Sequence, residues 1–235
     1  MPQPISLRDE GRDATRQVVA RFDRAAPAWG EFAAPDRLET LRGQLATLEA
    51  IDRRHGGHGA LALEDAAELV ASILAELGRI DSGLRRAGDT ADLDAIVLGV
   101  ALWALRHDVE ISVVEPITNA LADRSNRART REELAAAFGL MQGVIAHVHE
   151  RLSPDLERSN PERPWRLLHV NLAITAIRTE DPAMIDFAFD ALEQALPDER
   201  AGFFAEALAL GLAPGVKPEV RDRIEKRHLK WTQHS

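Results

Sequence analysis

The sequence predicts an all-α fold, and three observations carry that prediction. Apolar residues recur at helical spacing along almost the whole chain. Prolines and Gly/Asp pairs interrupt the pattern at intervals of about one helix. The only strand-like alternation, Val109-Glu110-Ile111-Ser112-Val113, has no second strand to satisfy its backbone, so it is expected to be a loop or a helix entrance.

The elements follow in order. A first helix is expected over 7–25, ending before Pro27. The second, 36–54, carries Leu38, Leu41, Leu45 and Leu48 at steps of three, four and three, and stops at the His55-Gly56-Gly57-His58-Gly59 stretch. Val70, Ile73, Leu77, Ile80 and Leu84 mark a third over 63–87, closed by Gly88-Asp89. The fourth, 91–106, is apolar nearly all round from Leu93 to Leu105, which places it at the centre of the packing. A fifth is expected over 113–125, and a sixth over 131–152 along the stripe Leu134, Phe138, Met141, Ile145, Val148 and Leu152. Pro164, Pro182, Pro197 and Pro214-Gly215 then delimit helices over 164–179, 182–196, 198–211 and 217–231. Together these make about ten helices, stacked as antiparallel hairpins in an array or bundle, solenoid-like in the C-terminal half. The longest loop, 153–163, is rich in proline and charge. It is the expected seam between two helical layers of one domain spanning 1–235.

Composition narrows the function. With 235 residues, 45% of them apolar and 29% charged, the chain can bury a core without disulfides or metal. It has no cysteine, which excludes disulfides, thiolate zinc sites, iron–sulfur clusters and cysteine nucleophiles. A net charge of -9 argues against generic nucleic-acid binding. Of 29 basic residues only Lys217, Lys226 and Lys230 are lysine, an arginine bias that fits a GC-rich bacterial genome. Met1 to Asp13 carry charges and prolines where a secretory signal needs an apolar run, so a cytoplasmic chain is expected. The longest uncharged run, Ala95 to Leu105, rises only about 16 Å as a helix, against roughly 30 Å of bilayer hydrocarbon.

A faint internal repeat is present. Ala101-Leu102-Trp103-Ala104-Leu105-Arg106 aligns with Ala173-Ile174-Thr175-Ala176-Ile177-Arg178, and Asn119-Ala120-Leu121 with Asp190-Ala191-Leu192, at an offset of about 72 residues. Within each copy the pattern resembles the tetratricopeptide repeat. Leu98-Gly99 and Asn171-Leu172-Ala173 stand at that family's Leu-Gly positions, Asp181 at its turn, Phe187 and Phe189 near its aromatic positions, and Ala191-Leu192 with Pro197 at its close. The chain has no tyrosine, so the family's Tyr position is unfilled. The resemblance implies a concave groove lined by first helices, which here presents Trp103, Arg166, Asn171 and Arg178 to a protein or peptide. The competing reading packs Trp103 and Asn171 inside and leaves the arginines solvated.

Catalytic signatures are sparse. There is no Gly-x-Ser-x-Gly elbow, P-loop or dinucleotide fingerprint. His107-Asp108 is similar to the His-Asp doublet of all-helical metal-dependent phosphohydrolases, for which His55 or His58 and Asp123 are the nominal partners. The doublet also falls at a turn, where Asp serves as a cap. Asp52-x-x-His55 and Glu225-x-x-His228 have di-iron spacing, although basic residues sit between the ligands. His147 and His149, two apart, point to different faces of a helix. Asp186, Asp190 and Glu193 line one helix face as solvated carboxylates or as an acidic patch for a basic partner. The segment from Lys217 to Ser235 has six basic and three acidic residues, with Val220, Ile224 and Trp231 as its apolar edge; it reads either as a basic amphipathic helix for a membrane surface or nucleic acid or, the leading expectation, as a final helix capping the array against its acidic body.

The leading expectation is a non-enzymatic adaptor for a protein or peptide, with no cofactor, no nucleic-acid partner and no membrane span. A His107/Asp108 metal-dependent hydrolase and a homo-oligomeric structural protein are the alternatives.

Overall fold

A computed structural model describes residues 15–55, 64–87, 90–156, 158–211 and 216–232. Within them the chain forms ten α-helices and no strand: α1 (Val18–Ala25), α2 (Pro35–Arg54), α3 (Glu64–Ala87), α4 (Ala91–His107), α5 (Glu115–Arg127), α6 (Arg131–Leu152), α7 (Pro164–Thr179), α8 (Pro182–Ala195), α9 (Arg200–Gly211) and α10 (Pro218–Thr232). The expected start of the first helix, together with His58, Gly88-Asp89 and Pro214-Gly215, lies outside the described residues.

Starts and stops obey capping chemistry. Thr130 accepts from the Glu133 N–H while the Glu133 carboxylate accepts from the Thr130 N–H, a capping box that fixes the start of α6. The Asp181 carboxylate accepts from the N–H groups of Ala183 and Met184, and Pro182 opens α8 where no N–H is needed. Helices α4 and α7 end 72 residues apart in left-handed caps, Asp108 at φ 54° and Glu180 at φ 56°. The two repeat-like segments therefore share a terminus as well as a sequence pattern.

Neighbouring helices pack against each other as an array from α3 through α8, with further contacts between alternate helices, α3 with α5, α4 with α6 and α5 with α7. Helix α1 closes back onto α4. The apolar core runs continuously from Val18 to Ile224, and α4 lies at its centre with Leu93, Ile96, Val97, Val100, Trp103 and Ala104 all buried. Two glycines allow close approach by α3. A Cβ at Gly78 would stand 2.9 Å from Pro116 Cγ on α5, and one at Gly83 only 2.3 Å from the Phe32 ring.

The extended stretch before α5 is satisfied without a sheet. His147 Nε2 donates to the Val109 carbonyl at 2.8 Å and Arg151 Nη2 to that of Ile111 at 2.9 Å, both from α6. Val109 and Ile111 are thereby free to bury their side chains. None of the described helices is long and apolar enough to cross a membrane.

Candidate functional site

The four groove residues do not converge. Trp103 is wholly buried, its indole N–H donating to the Leu48 carbonyl at 3.0 Å and its ring 4.6 Å from that of His107. It is a core residue because α4 has neighbours on every side, and this corrects its assignment to a groove. Arg178 donates from Nη1 to the Ser125 carbonyl at 2.6 Å and from Nη2 to that of Ala128 at 3.3 Å, capping the end of α5. Asn171 is half-buried on the same face of α7, seven residues earlier. Arg166 stands about 120° around the helix from Arg178 and pairs with Glu199.

The His-Asp doublet also diverges. His107 is buried, and its Nε2 donates to Asp52 Oδ1 at 3.0 Å; the same oxygen accepts from Arg106 Nη2 at 2.9 Å, and Arg106 also reaches Thr15 Oγ1 at 2.7 Å. Asp108 is an exposed cap. Asp123 is held by Arg85 Nη1 at 2.7 Å, and Arg85 also binds Asp81 at 2.7 Å. His55 caps α2. Among the described residues, no three His, Asp or Glu are grouped to hold a metal ion. His147 and His149 face different neighbours, the Val109 carbonyl and the Trp165 ring.

The acidic face of α8 and the basic C-terminal segment meet each other. Arg223 pairs with Asp186 at 3.3 Å, Arg227 with Asp190 at 2.7 Å and Glu193 at 2.8 Å, and Lys230 with Glu193 at 2.6 Å. Burial pushes the Glu193 carboxyl up, but hydrogen bonds from Lys230, Trp231 and Arg227 outweigh it and hold the group below the usual range. Val220 and Ile224 are buried beneath, and Arg200 stacks 3.5 Å over the Trp231 ring.

The most unusual chemistry lies in the loop between α6 and α7, at the expected seam. Arg163 is buried there, although arginine almost never is unless paired. Asp155, in the left-handed region at φ 47°, grips it through both oxygens at 2.6 and 3.1 Å; Glu199 and the Asn160 carbonyl accept one further hydrogen bond each. Burial pushes Glu199 up, but hydrogen bonds from Arg166 and Arg163 more than offset this and hold the carboxyl below its usual range. The Asp155–Arg163 pair is a wall shared by two clefts. One, of about 310 Å³, runs between Arg158, Pro161, Arg166 and Pro197. The other, of about 520 Å³, lies between the start of α5, the end of α6 and Trp165. Leu156 stands at its rim with 91% of its surface exposed, the most exposed large apolar residue described.

Behind this wall, His169 is buried with neither ring nitrogen hydrogen-bonded, edge-on to Trp165 at 4.4 Å. Burial, and then electrostatic repulsion between the two imidazoles of His169 and His149, depress it to about pKa 4 despite Asp155. Sequence reasoning missed Asp155, Leu156, Arg163, His169 and Glu199. The signal was the length of the 153–163 loop, well above the usual helix–helix connection. Comparison with models of known families, with curated proteins and with solved structures finds no match for this chain.

Proposed function

We propose that this chain is a non-enzymatic cytoplasmic adaptor, a tetratricopeptide-like helical array that binds a protein or peptide at the α6–α7 loop. The single observation that carries the reading is Leu156, an almost fully exposed leucine beside a 520 Å³ cleft on a loop braced by a buried arginine. An isolated exposed leucine needs no explanation, but one on the rim of a cleft floored by Trp165 is the form of an anchor site. Two of the four groove positions, Trp103 and Arg178, serve packing and capping. Arg166 survives as a lining residue of the neighbouring cleft. No observation favours hydrolysis, since His107 is turned toward Asp52 and away from Asp108.

The test is selection of a displayed random-peptide library on the natural protein, on Leu156→Asp and on Asn171→Ala, with circular dichroism confirming each fold. Peptides retained by the natural protein and by Asn171→Ala, but not by Leu156→Asp, support the loop site. Loss on Asn171→Ala alone moves the site to the α7 face, and no enrichment on any of the three overturns the adaptor reading. Sedimentation of the natural protein alone tests self-association, which would show as a mass rising with concentration.

A further inference from the structure

His169 sits where it cannot carry a proton. It is buried on α7, and neither ring nitrogen has a hydrogen-bond partner. A neutral imidazole has one donor and one acceptor, whereas the protonated ring has two donors and a charge. Its surroundings are already short of acceptors, because the Trp165 ring 4.4 Å away brings an indole N–H that is itself buried and unanswered. Two titratable groups act on His169: His149 from α6, which disfavours a cation there, and Asp155 from the loop, which favours one. None does so from α5 or α8, the other helices packed on α7, among the described residues. The one group that could answer a proton is therefore Asp155, and both of its oxygens are committed to Arg163.

We infer that protonation of His169 releases the 153–163 loop, so that the Asp155–Arg163 pair is an acid-sensitive latch on the junction of α6 and α7. There are two ways for the charged ring to be satisfied, and both undo the latch. If Asp155 turns to the imidazolium, it gives up its two-oxygen grip on Arg163. If the ring moves out to water, it must pass the same pair, which walls it off from the two clefts. Release also lets Asp155 leave the left-handed region, which disfavours any side chain with a Cβ. The opening stays local, because the side-chain hydrogen bonds of Asp155, Arg163 and Glu199 all fall within residues 155–199 and leave the central helix α4 untouched. The inference needs no partner and so stands apart from the adaptor reading, although Leu156 moves with the loop.

The experiment is amide hydrogen exchange on the full chain at pH 7.5 and pH 5, each rate divided by that of the unfolded chain at the same pH. The reporters are the N–H groups of Ser153, Asp155, Arg163 and Leu167, whose acceptors are the carbonyls of His149, Leu152, Asn160 and Arg163. Amides in the middle of α4 serve as the reference. With a ring that titrates at about 4 when shut in and near 6.5 when free, the loop amides are expected to lose about thirtyfold of their protection between the two pH values. They should end well below the α4 amides, and His169→Phe should abolish the loss. His169→Gln, which also cannot take up a proton, repeats the test should the phenylalanine variant fail to fold. Loop amides unprotected at pH 7.5, protection unchanged at pH 5, or a loss that persists in both variants overturns the latch. Loop and α4 amides exchanging at one common protection throughout the fall also overturns it, since the event is then unfolding of the whole chain.

Discussion

Two buried arginines invite comparison, because the same ion-pair chemistry is set in opposite surroundings. Arg106 joins Asp52 and Thr15 and shares the Asp52 oxygen with His107, drawing α2 and the chain before α1 onto the central helix across 54 and 91 residues of sequence. None of the clefts described opens onto it. Arg163 joins Asp155 only eight residues away, and their pair divides two clefts. The first ties the fold together. The second shapes one loop, where water can reach what a mutation leaves behind.

The sharpest way to break this contrast is to delete the carboxylate in each. Asp52→Ala removes the one carboxylate that both Arg106 and His107 use and is expected to cost about 3–5 kcal/mol, the usual penalty for removing one partner of a buried pair. Asp155→Ala is expected to cost less, about 1–3 kcal/mol, because Glu199 still holds Arg163 and the clefts admit solvent. Urea midpoints at constant slope measure both. Equal losses would mean that the loop pair is as structural as the core pair.

The next effect is the pH dependence that His169, on α7 beside the loop, contributes. His169 titrates near pH 4 in the folded chain and near 6.5 when unfolded. Between these values the unfolded chain binds a proton that the folded one refuses. Stability is therefore full above about pH 6.5 and falls as the pH drops toward 4, by about 3 kcal/mol if the whole shift is realised. His169→Phe, which keeps an edge-on ring against Trp165, should flatten this part of the stability curve. A slope unchanged in the variant would remove His169 as its source.

How much of this was legible follows from the range over which each feature is encoded. Helix α6 begins and ends where the apolar stripe predicts because its signals are local: Thr130 and Glu133 are three residues apart, and Leu152 closes the same stripe. The charge of the C-terminal segment was equally plain. Its pairing with Asp186, Asp190 and Glu193 was one of two open readings, since nothing in spacing tells a chain that its own helix will return 37 residues later. The loop site was the least legible part. Arg163 and Asp155 read as solvated charges in a polar loop, and only the left-handed turn at Asp155 and the arrival of Glu199 from the start of α9 convert them into a buried pair. Trp103 failed in the opposite sense, because a resemblance placed on a groove what the apolar surroundings of α4 place in the core.

The smallest effect separates the two regions by sign. Asp108 and Asp155 both occupy the left-handed region, which disfavours any side chain with a Cβ and is only partly relieved for aspartate. At Asp108 the carboxylate is exposed and lies at the C-terminal end of α4, where a negative charge opposes the helix dipole. Asp108→Gly removes both penalties and gives up some unfolded-state entropy, so a net gain of about 0.5–1 kcal/mol is expected. At Asp155 the same substitution relieves the same backbone but withdraws the carboxylate that grips Arg163, so stability should fall. Thermal unfolding of the two glycine variants side by side reads the difference directly. Opposite signs mean that the loop holds its strained turn for the sake of the arginine, whereas two gains would show that Glu199 alone suffices to seat it.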